Sequence, residues 1–232
     1  MAQRVARRRT EIAEAQPSLL RGPVVLGVVA VAAVLAIALI VFANRPGAAP
    51  RAAATYEGLA IEGSVLGSRD APVTIVGYSD FQCPHCATAA ATLLPPLAEQ
   101  YIASGQVRFE FRPVVYLGQE SLLAAEAALC ARDQNQFWPS HDKLFASQQG
   151  TNRGGFSVAN LERFAGEVGL DASRFSACLD GREHQEEVLG LTREAQSRGV
   201  EGTPTFFVGD VPLPGAVPFS DMQAAIEERL SQ

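Results

Sequence analysis

The chain has 232 residues, with 19 Lys and Arg against 25 Asp and Glu for a net charge of −6, and is 47% hydrophobic and 19% charged. That is too apolar for a disordered chain, too thinly charged for a coiled coil, and long enough for one ordinary domain with an appendage. Up to Arg51 there are seven Arg and two Glu, leaving 12 basic and 23 acidic groups in the remainder; an acidic body argues against a nucleic-acid partner, because gripping phosphates takes Lys and Arg.

Residues 1–22 form a basic leader with Arg4, Arg7, Arg8, Arg9 and Arg21. From Pro23 to Ala43 run 21 uncharged residues, almost all Val, Ala, Leu, Ile or Gly. A helix of about 20 such residues spans the hydrocarbon core, and the excess of Arg before it keeps the N-terminus cytoplasmic. A transmembrane helix at 23–43 is therefore expected, with the body outside the cell membrane. A cleaved signal peptide ending near Ala52–Ala54 is the alternative, and it exports the same domain. Residues 44–60, rich in Ala, Pro and Gly, read as a flexible linker, and the folded domain is expected over 61–232.

In that body, PVTIVGY (72–78) is a β-branched run without polar alternation, as in a strand buried on both faces. It leads directly into SDFQCPHC. The stretch after Cys86 reads as a helix kinked at Pro95 and Pro96 and closed by Gly105. Val107–Tyr116 alternates as a second strand, parallel to the first through a right-handed crossover. Residues 117–182 are helical throughout: Leu123, Ala127, Cys130 and Ala131 share one face, Phe175, Cys178 and Leu179 another. Asp171 reads as an N-cap and Gly169 as a helix stop. Phe137, Trp138 and Phe145 are expected in the core of this block, with His141 packed among them and His184 solvated. A helix near 183–198, a buried strand TFFV, an edge strand VPLPG and a last helix capped by Ser220 complete an α/β domain interrupted by a helical insertion.

Cys83, Pro84, His85 and Cys86 stand where a buried strand meets a helix, the context in which Cys-X-X-Cys reads as a redox pair. Pro84 suits the first helical turn, which puts Cys83 at the helix N-terminus, where free N–H groups and the positive end of the dipole favour a thiolate. Protonated His85 would add a second positive charge. Cys86, one turn deeper, is placed to resolve a mixed disulfide. Stabilising a thiolate stabilises the reduced state, so the disulfide becomes the stronger oxidant. Zinc lacks a second ligand pair, haem attachment would need a His at position 87 where Ala87 stands, and a purely structural disulfide across four residues closes too small a loop to stabilise much. No metal and no cofactor are expected.

SDFQCPHC after a strand, Phe137–Trp138 in a helical segment, and GVEGTPTFFV near the C-terminus together resemble the DsbA-like thiol:disulfide oxidoreductases, over residues 61 to 232. The resemblance implies a thioredoxin-like fold with a helical insertion at about 117–182. It also implies a cis Thr203–Pro204 bond facing the cysteine pair, with Thr203 and Pro204 binding a substrate strand by β-augmentation. One departure stands out. Many relatives carry a buried acid six positions before the first cysteine to move protons for the second thiol; here Gly77 occupies that place, and Asp80 is expected on a different face. Cys130 and Cys178, each on an apolar helix face in an oxidising compartment, are expected to form a structural disulfide, with buried free thiols as the alternative. The function implied is oxidation of reduced or unfolded exported proteins, with reoxidation by a separate quinone-linked membrane protein of DsbB-like or vitamin-K-epoxide-reductase-like type. A reductase or isomerase, including a thiol donor for cytochrome maturation, and a non-enzymatic peptide-binding domain are the alternatives.

Overall fold

The computed structural model describes residues 56–232. The leader 1–22, the apolar run 23–43 and the linker up to residue 55 lie outside them; among the described residues no helix is long and apolar enough to cross a membrane.

A six-stranded sheet in the order β1-β2-β4-β3-β5-β6 forms the centre. Its strands are β1 (Ile61–Glu62), β2 (Val65–Leu66), β3 (Val73–Ser79), β4 (Val107–Pro113), β5 (Thr205–Val208) and β6 (Val211–Pro214). β3 and β4 run parallel, joined by a helical crossover, whereas β5 lies antiparallel to β3 and β6 antiparallel to β5. The central strand β3 is buried on both faces, as its unbroken β-branched run dictates. β4 buries Val107, Phe109, Phe111 and Pro113 in alternation with half-buried partners. The prolines of VPLP are accommodated because β6 is the edge.

The crossover begins with α1 (Pro84–Thr92), with Pro84 in its first turn as expected, and breaks at Leu93. A short helix α2 (Leu94–Leu97) and a π-helical turn (Ala98–Ile102) follow. Pro95 and Pro96 supply no N–H to the preceding turn, so the helix re-registers there. Gly105, at φ +76°, ends it, with Gln106 N–H donating to the Tyr101 carbonyl at 3.0 Å.

The insertion consists of α3 (Gln119–Arg132), α4 (Phe137–Ala146), α5 (Val158–Glu167) and α6 (Ala172–Asp180). The helix α7 (Gln185–Ser197) packs on the opposite face of the sheet, where its Ala195 joins Val76, Tyr78, Val114, Val200 and Phe207 in a second small core. The last helix, α8 (Phe219–Leu230), places Met222 and Ile226 in the main core. The Asp171 side chain caps α6 by accepting from Arg174 N–H at 2.9 Å. Gly169 (φ +82°) closes α5, with Leu170 N–H donating to the Ala165 carbonyl at 3.0 Å.

Four expectations are corrected. The N-cap of α8 is Pro218, and Ser220 lies inside the helix, its hydroxyl facing Asp221 Oδ1 at 3.2 Å. The helix α3 is buried nearly all round, because α4, α5, α6 and α7 all pack against it, so it has no single apolar face. His184 is not solvated: its ring bridges Asp133 at 2.6 Å and Glu187 at 3.1 Å. The packed body begins before Ile61, because Tyr56 is buried against Trp138, ring centroids 5.2 Å apart, and its hydroxyl donates to Asp142 Oδ1 at 2.9 Å.

Candidate functional site: the cysteine pair and its surroundings

Cys83 is the N-cap of α1 and Pro84 its first residue, so the free N–H groups of the first turn converge on the Cys83 sulfur. Cys83 and Cys86 are both free thiols and both buried, 6% and 1% exposed, so Cys83 is less accessible than a helix terminus alone suggests. The loop before β5 accounts for this. The Thr203–Pro204 peptide bond in that loop is cis, and the Cys83 sulfur lies 3.3 Å from the Thr203 carbonyl oxygen.

The two sulfurs are driven in opposite directions. A hydrogen bond from the Cys86 thiol, assisted by the Thr203 side chain and the backbone N–H groups of Cys86 and His85, outweighs burial and lowers the Cys83 pKa to about 5. Burial, and then the negative charge held on Cys83, push the Cys86 thiol far up. The pair therefore rests as a thiolate beside a thiol. The His85 side chain is exposed, and the part of this residue that serves the sulfur is its backbone N–H.

The loop carrying the motif is held from the insertion. The Asp80 carboxylate, fully buried, accepts from Gln82 N–H (2.8 Å) and the Ser121 hydroxyl (2.7 Å) on one oxygen, and from Tyr116 N–H (2.8 Å) and Leu117 N–H (3.0 Å) on the other. Gln82 bonds Ser121 at 2.8 Å and accepts from Asn152 N–H at 2.6 Å. The Gln148 amide donates to the carbonyls of Phe81 at 2.7 Å and Cys83 at 3.0 Å. Sequence reasoning missed Ser121, Gln148 and Asn152: each is an isolated polar residue 39 to 70 positions from its partner, and no local pattern marks it.

Gly77 lies in β3 with no room for an acid. A Cβ there would meet Phe109 Cε2 at 3.0 Å and Phe206 Cδ1 at 3.1 Å. Beneath Cys86 is instead a small apolar cavity of about 20 Å³, bordered by Phe109, Phe206, Met222 and the ring of His141. His141 is buried, and its Nδ1 pairs with Asp142 Oδ1 at 2.8 Å.

Away from this site, Cys130 in α3 and Cys178 in α6 are joined by a disulfide with Cα atoms 5.9 Å apart. Phe137, Trp138 and Phe145 are all buried in the core against which the insertion packs.

A parallel β3–β4 pair crossed by α1, a low-pKa cysteine at that helix's N-terminus and an X-Pro loop against its sulfur define a thioredoxin-type dithiol site. A family model described as Thioredoxin matches residues 60–228. The probable disulfide bond formation protein D of Bacillus anthracis is 33% identical over 172 residues, covering 72% of this chain and 78% of its own. The crystal structure of oxidised BdbD from Bacillus subtilis superposes with a TM-score of 0.69 at 28% identity, covering 75% of this chain and 96% of that one. The Na(+)/H(+) antiporter NhaA 3 of Salinispora tropica is 38% identical over 152 residues, but the match spans only 21% of its length, so the resemblance is to one part of that protein. The chain belongs to the thioredoxin family and, within it, to the DsbA-like thiol:disulfide oxidoreductases; it is a protein-disulfide oxidoreductase.

Proposed function

We propose that this oxidoreductase works as a dithiol oxidase, held outside the cell membrane by residues 23–43 and donating a Cys83–Cys86 disulfide to reduced exported proteins. The observation that carries the direction is the place of Cys83 at the N-terminus of α1 beside the free Cys86 thiol, a setting that lowers its pKa to about 5. A sulfur so stabilised as thiolate makes the reduced pair the favoured product and its disulfide an oxidant.

In the working step a substrate thiolate attacks Cys83 Sγ of the disulfide. The sulfur–sulfur bond breaks, Cys86 leaves and takes a proton, and a mixed disulfide joins the substrate to Cys83. The substrate's second thiol, losing its proton to solvent, then attacks the substrate sulfur and expels Cys83 as its stable thiolate. The substrate leaves with a disulfide, two electrons lighter, and the enzyme holds the dithiol. Pro84 and His85 fix the turn whose N–H groups support that thiolate, and Thr203 and Pro204 offer the adjoining loop to an extended substrate strand. A separate quinone-linked membrane protein, DsbB-like or vitamin-K-epoxide-reductase-like, takes the electrons. The anchor rests on the composition of 23–43 and the Arg excess before it.

Equilibrating the domain with glutathione buffers and quantifying the Cys83–Cys86 disulfide tests the direction. A potential of about −120 to −180 mV is expected; one near −270 mV, the range of a cytosolic reductant, overturns the oxidase assignment in favour of a thiol donor.

A further inference from the structure

The step just described requires a proton to reach Cys86 when it leaves and to depart when it attacks. Cys86 is 1% exposed, so bulk water does not meet its sulfur directly. The position from which a buried acid would serve it is Gly77, closed by Phe109 and Phe206. Asp80 is fully engaged, each carboxylate oxygen already accepting two hydrogen bonds. What does adjoin Cys86 is the cavity of about 20 Å³, room for a single water molecule. Of all the residues lining it, only Cys86 and His141 ionise.

His141 is built as a proton carrier is built. Its ring is clamped edge to face by Phe111 (centroids 4.7 Å apart, 89°) and Phe145 (4.9 Å, 82°), with Trp138 at 5.1 Å, so it has one orientation. Nδ1 faces the Asp142 carboxylate at 2.8 Å, which fixes the proton on Nδ1 and leaves Nε2 as the basic nitrogen of a ring that borders the cavity. Asp142 is in turn held by the Tyr56 hydroxyl at 2.9 Å and is 22% exposed, so the far end of the chain of groups reaches solvent. We propose that His141, backed by Asp142, is the proton-transfer residue for Cys86, acting across the cavity beneath the cysteine pair in place of an acid at position 77.

The balance is simple. When Cys86 leaves, imidazolium Nε2–H gives its proton to the Cys86 sulfur, directly or through the one water, leaving neutral His141 with its Nδ1–H on Asp142 until Cys86 hands the proton back on reoxidation. When Cys86 attacks Cys83 in a mixed disulfide, the proton runs the other way. No redox equivalents are consumed beyond those of the exchange itself.

This rests on Cys83 and Cys86 being the working couple, and the test separates the two. The full chain, reduced, is mixed with glutathione disulfide in a stopped-flow instrument. A second-order phase reports attack by Cys83, and a first-order phase reports resolution by Cys86. In His141→Gln the first-order phase is expected to slow by about 100-fold, the low end of what a positioned acid or base supplies, while the second-order phase is unchanged. Its rate should then climb about tenfold per pH unit, because hydroxide becomes the only base for Cys86; a merely structural lesion does not create that slope. A folded His141→Gln with the wild-type first-order rate and slope overturns the proposal. If circular dichroism shows that His141→Gln does not fold, Asp142→Asn, which leaves the ring in place, must slow the same phase by at least tenfold, and an unchanged rate overturns the proposal equally. Absence of any first-order phase in the unaltered chain would count against the couple itself.

Discussion

The molecule holds two pairs of cysteines that chemistry would treat alike and that their settings make opposite. Cys130 and Cys178 come from two helices 48 positions apart, each buried, and are joined across the insertion. Cys83 and Cys86 share one turn of one helix, stand as free thiols, and are equally shielded from water. Burial therefore does not separate the reactive pair from the inert one. What separates them is that Cys83 receives the hydrogen bond of the Cys86 thiol and caps a helix whose first-turn N–H groups face its sulfur, whereas Cys130 and Cys178 are bonded to each other within α3 and α6, where the backbone N–H groups are spent on the helix itself. Reactivity here is a property of the hydrogen-bond donors around the sulfur, the Cys86 thiol first and the first-turn N–H groups after it.

The strongest way to break this comparison is to remove the inert pair. Closing 48 positions restricts the unfolded chain by about 4 kcal/mol in the loop-entropy model. Cys130→Ser with Cys178→Ser should lower the melting temperature by about 8–16 °C, at about 2–4 °C per kcal/mol for a domain of this size. Thiol oxidation by the still-folded double variant should be intact at a temperature well below its transition. Loss of oxidation in a folded double variant would place this pair in the electron path and dissolve the distinction.

A titration sharpens the other half. An ordinary thiol ionises near 9, whereas Cys83 keeps its charge down to about 5. Because the folded pKa is depressed, the thiolate's contribution to the reduced native form is complete above pH 9. It shrinks as pH falls from 9 to 5 and is absent below 5. At pH 7 the two pH units between the working pH and 5 are worth about 3 kcal/mol, and they move the couple by about 60 mV in the oxidising direction. Alkylation of the reduced protein by iodoacetamide should reach half its maximum near pH 5, with the label on Cys83, and the stability advantage of the reduced over the oxidised domain should fade between pH 7 and pH 5. Labelling that begins only above pH 8 would show that neither the Cys86 thiol nor the helix terminus stabilises charge on this sulfur.

How much of this was legible in the sequence depends on how local the cause is. The alternation of Val107, Phe109 and Phe111, the cap at Asp171 and the stop at Gly169 are fixed by neighbours within a few residues, and they read correctly. The position of CPHC between a buried strand and a helix was equally readable. Ser220 misled because Pro218 is itself an adequate entry to the helix and precedes it by two positions. The shielding of Cys83 depends on a loop 120 positions away, and the clamp made by Gln148 and Asn152 on the insertion's folding back over the motif. His141 reads from sequence as a packed side chain, and so it is; that it is packed against the cavity under Cys86 depends on where α4 lies in three dimensions. Tyr56 fell on the wrong side of a boundary drawn from Ala, Pro and Gly content, because one aromatic side chain is enough to extend a core and composition averages it away.

The smallest expected effect tests whether the surroundings of Cys86 are set by shape. Gly77→Ala adds one carbon at 3.0 Å from Phe109 Cε2 and 3.1 Å from Phe206 Cδ1, closer than packed carbons ordinarily approach. Both rings are buried, 4% and 6% exposed, and pinned on the same side of the sheet by the main core, so neither can swing away without disturbing its neighbours. Overpacking of this kind costs about 1–3 kcal/mol, read as a lower denaturant midpoint at constant m-value. The same two rings border the cavity beneath Cys86, whereas Cys83 takes its charge stabilisation first from the hydrogen bond of the Cys86 thiol and then from Thr203 and the first turn of α1, none of which the added carbon touches. The alkylation profile of Cys83 should therefore stay centred near pH 5 in Gly77→Ala even as stability falls. A shifted profile would mean that the packing beneath Cys86 reaches Cys83 through the hydrogen bond between the two sulfurs, and that the division between a charged outer sulfur and a proton-holding inner one has been drawn too sharply.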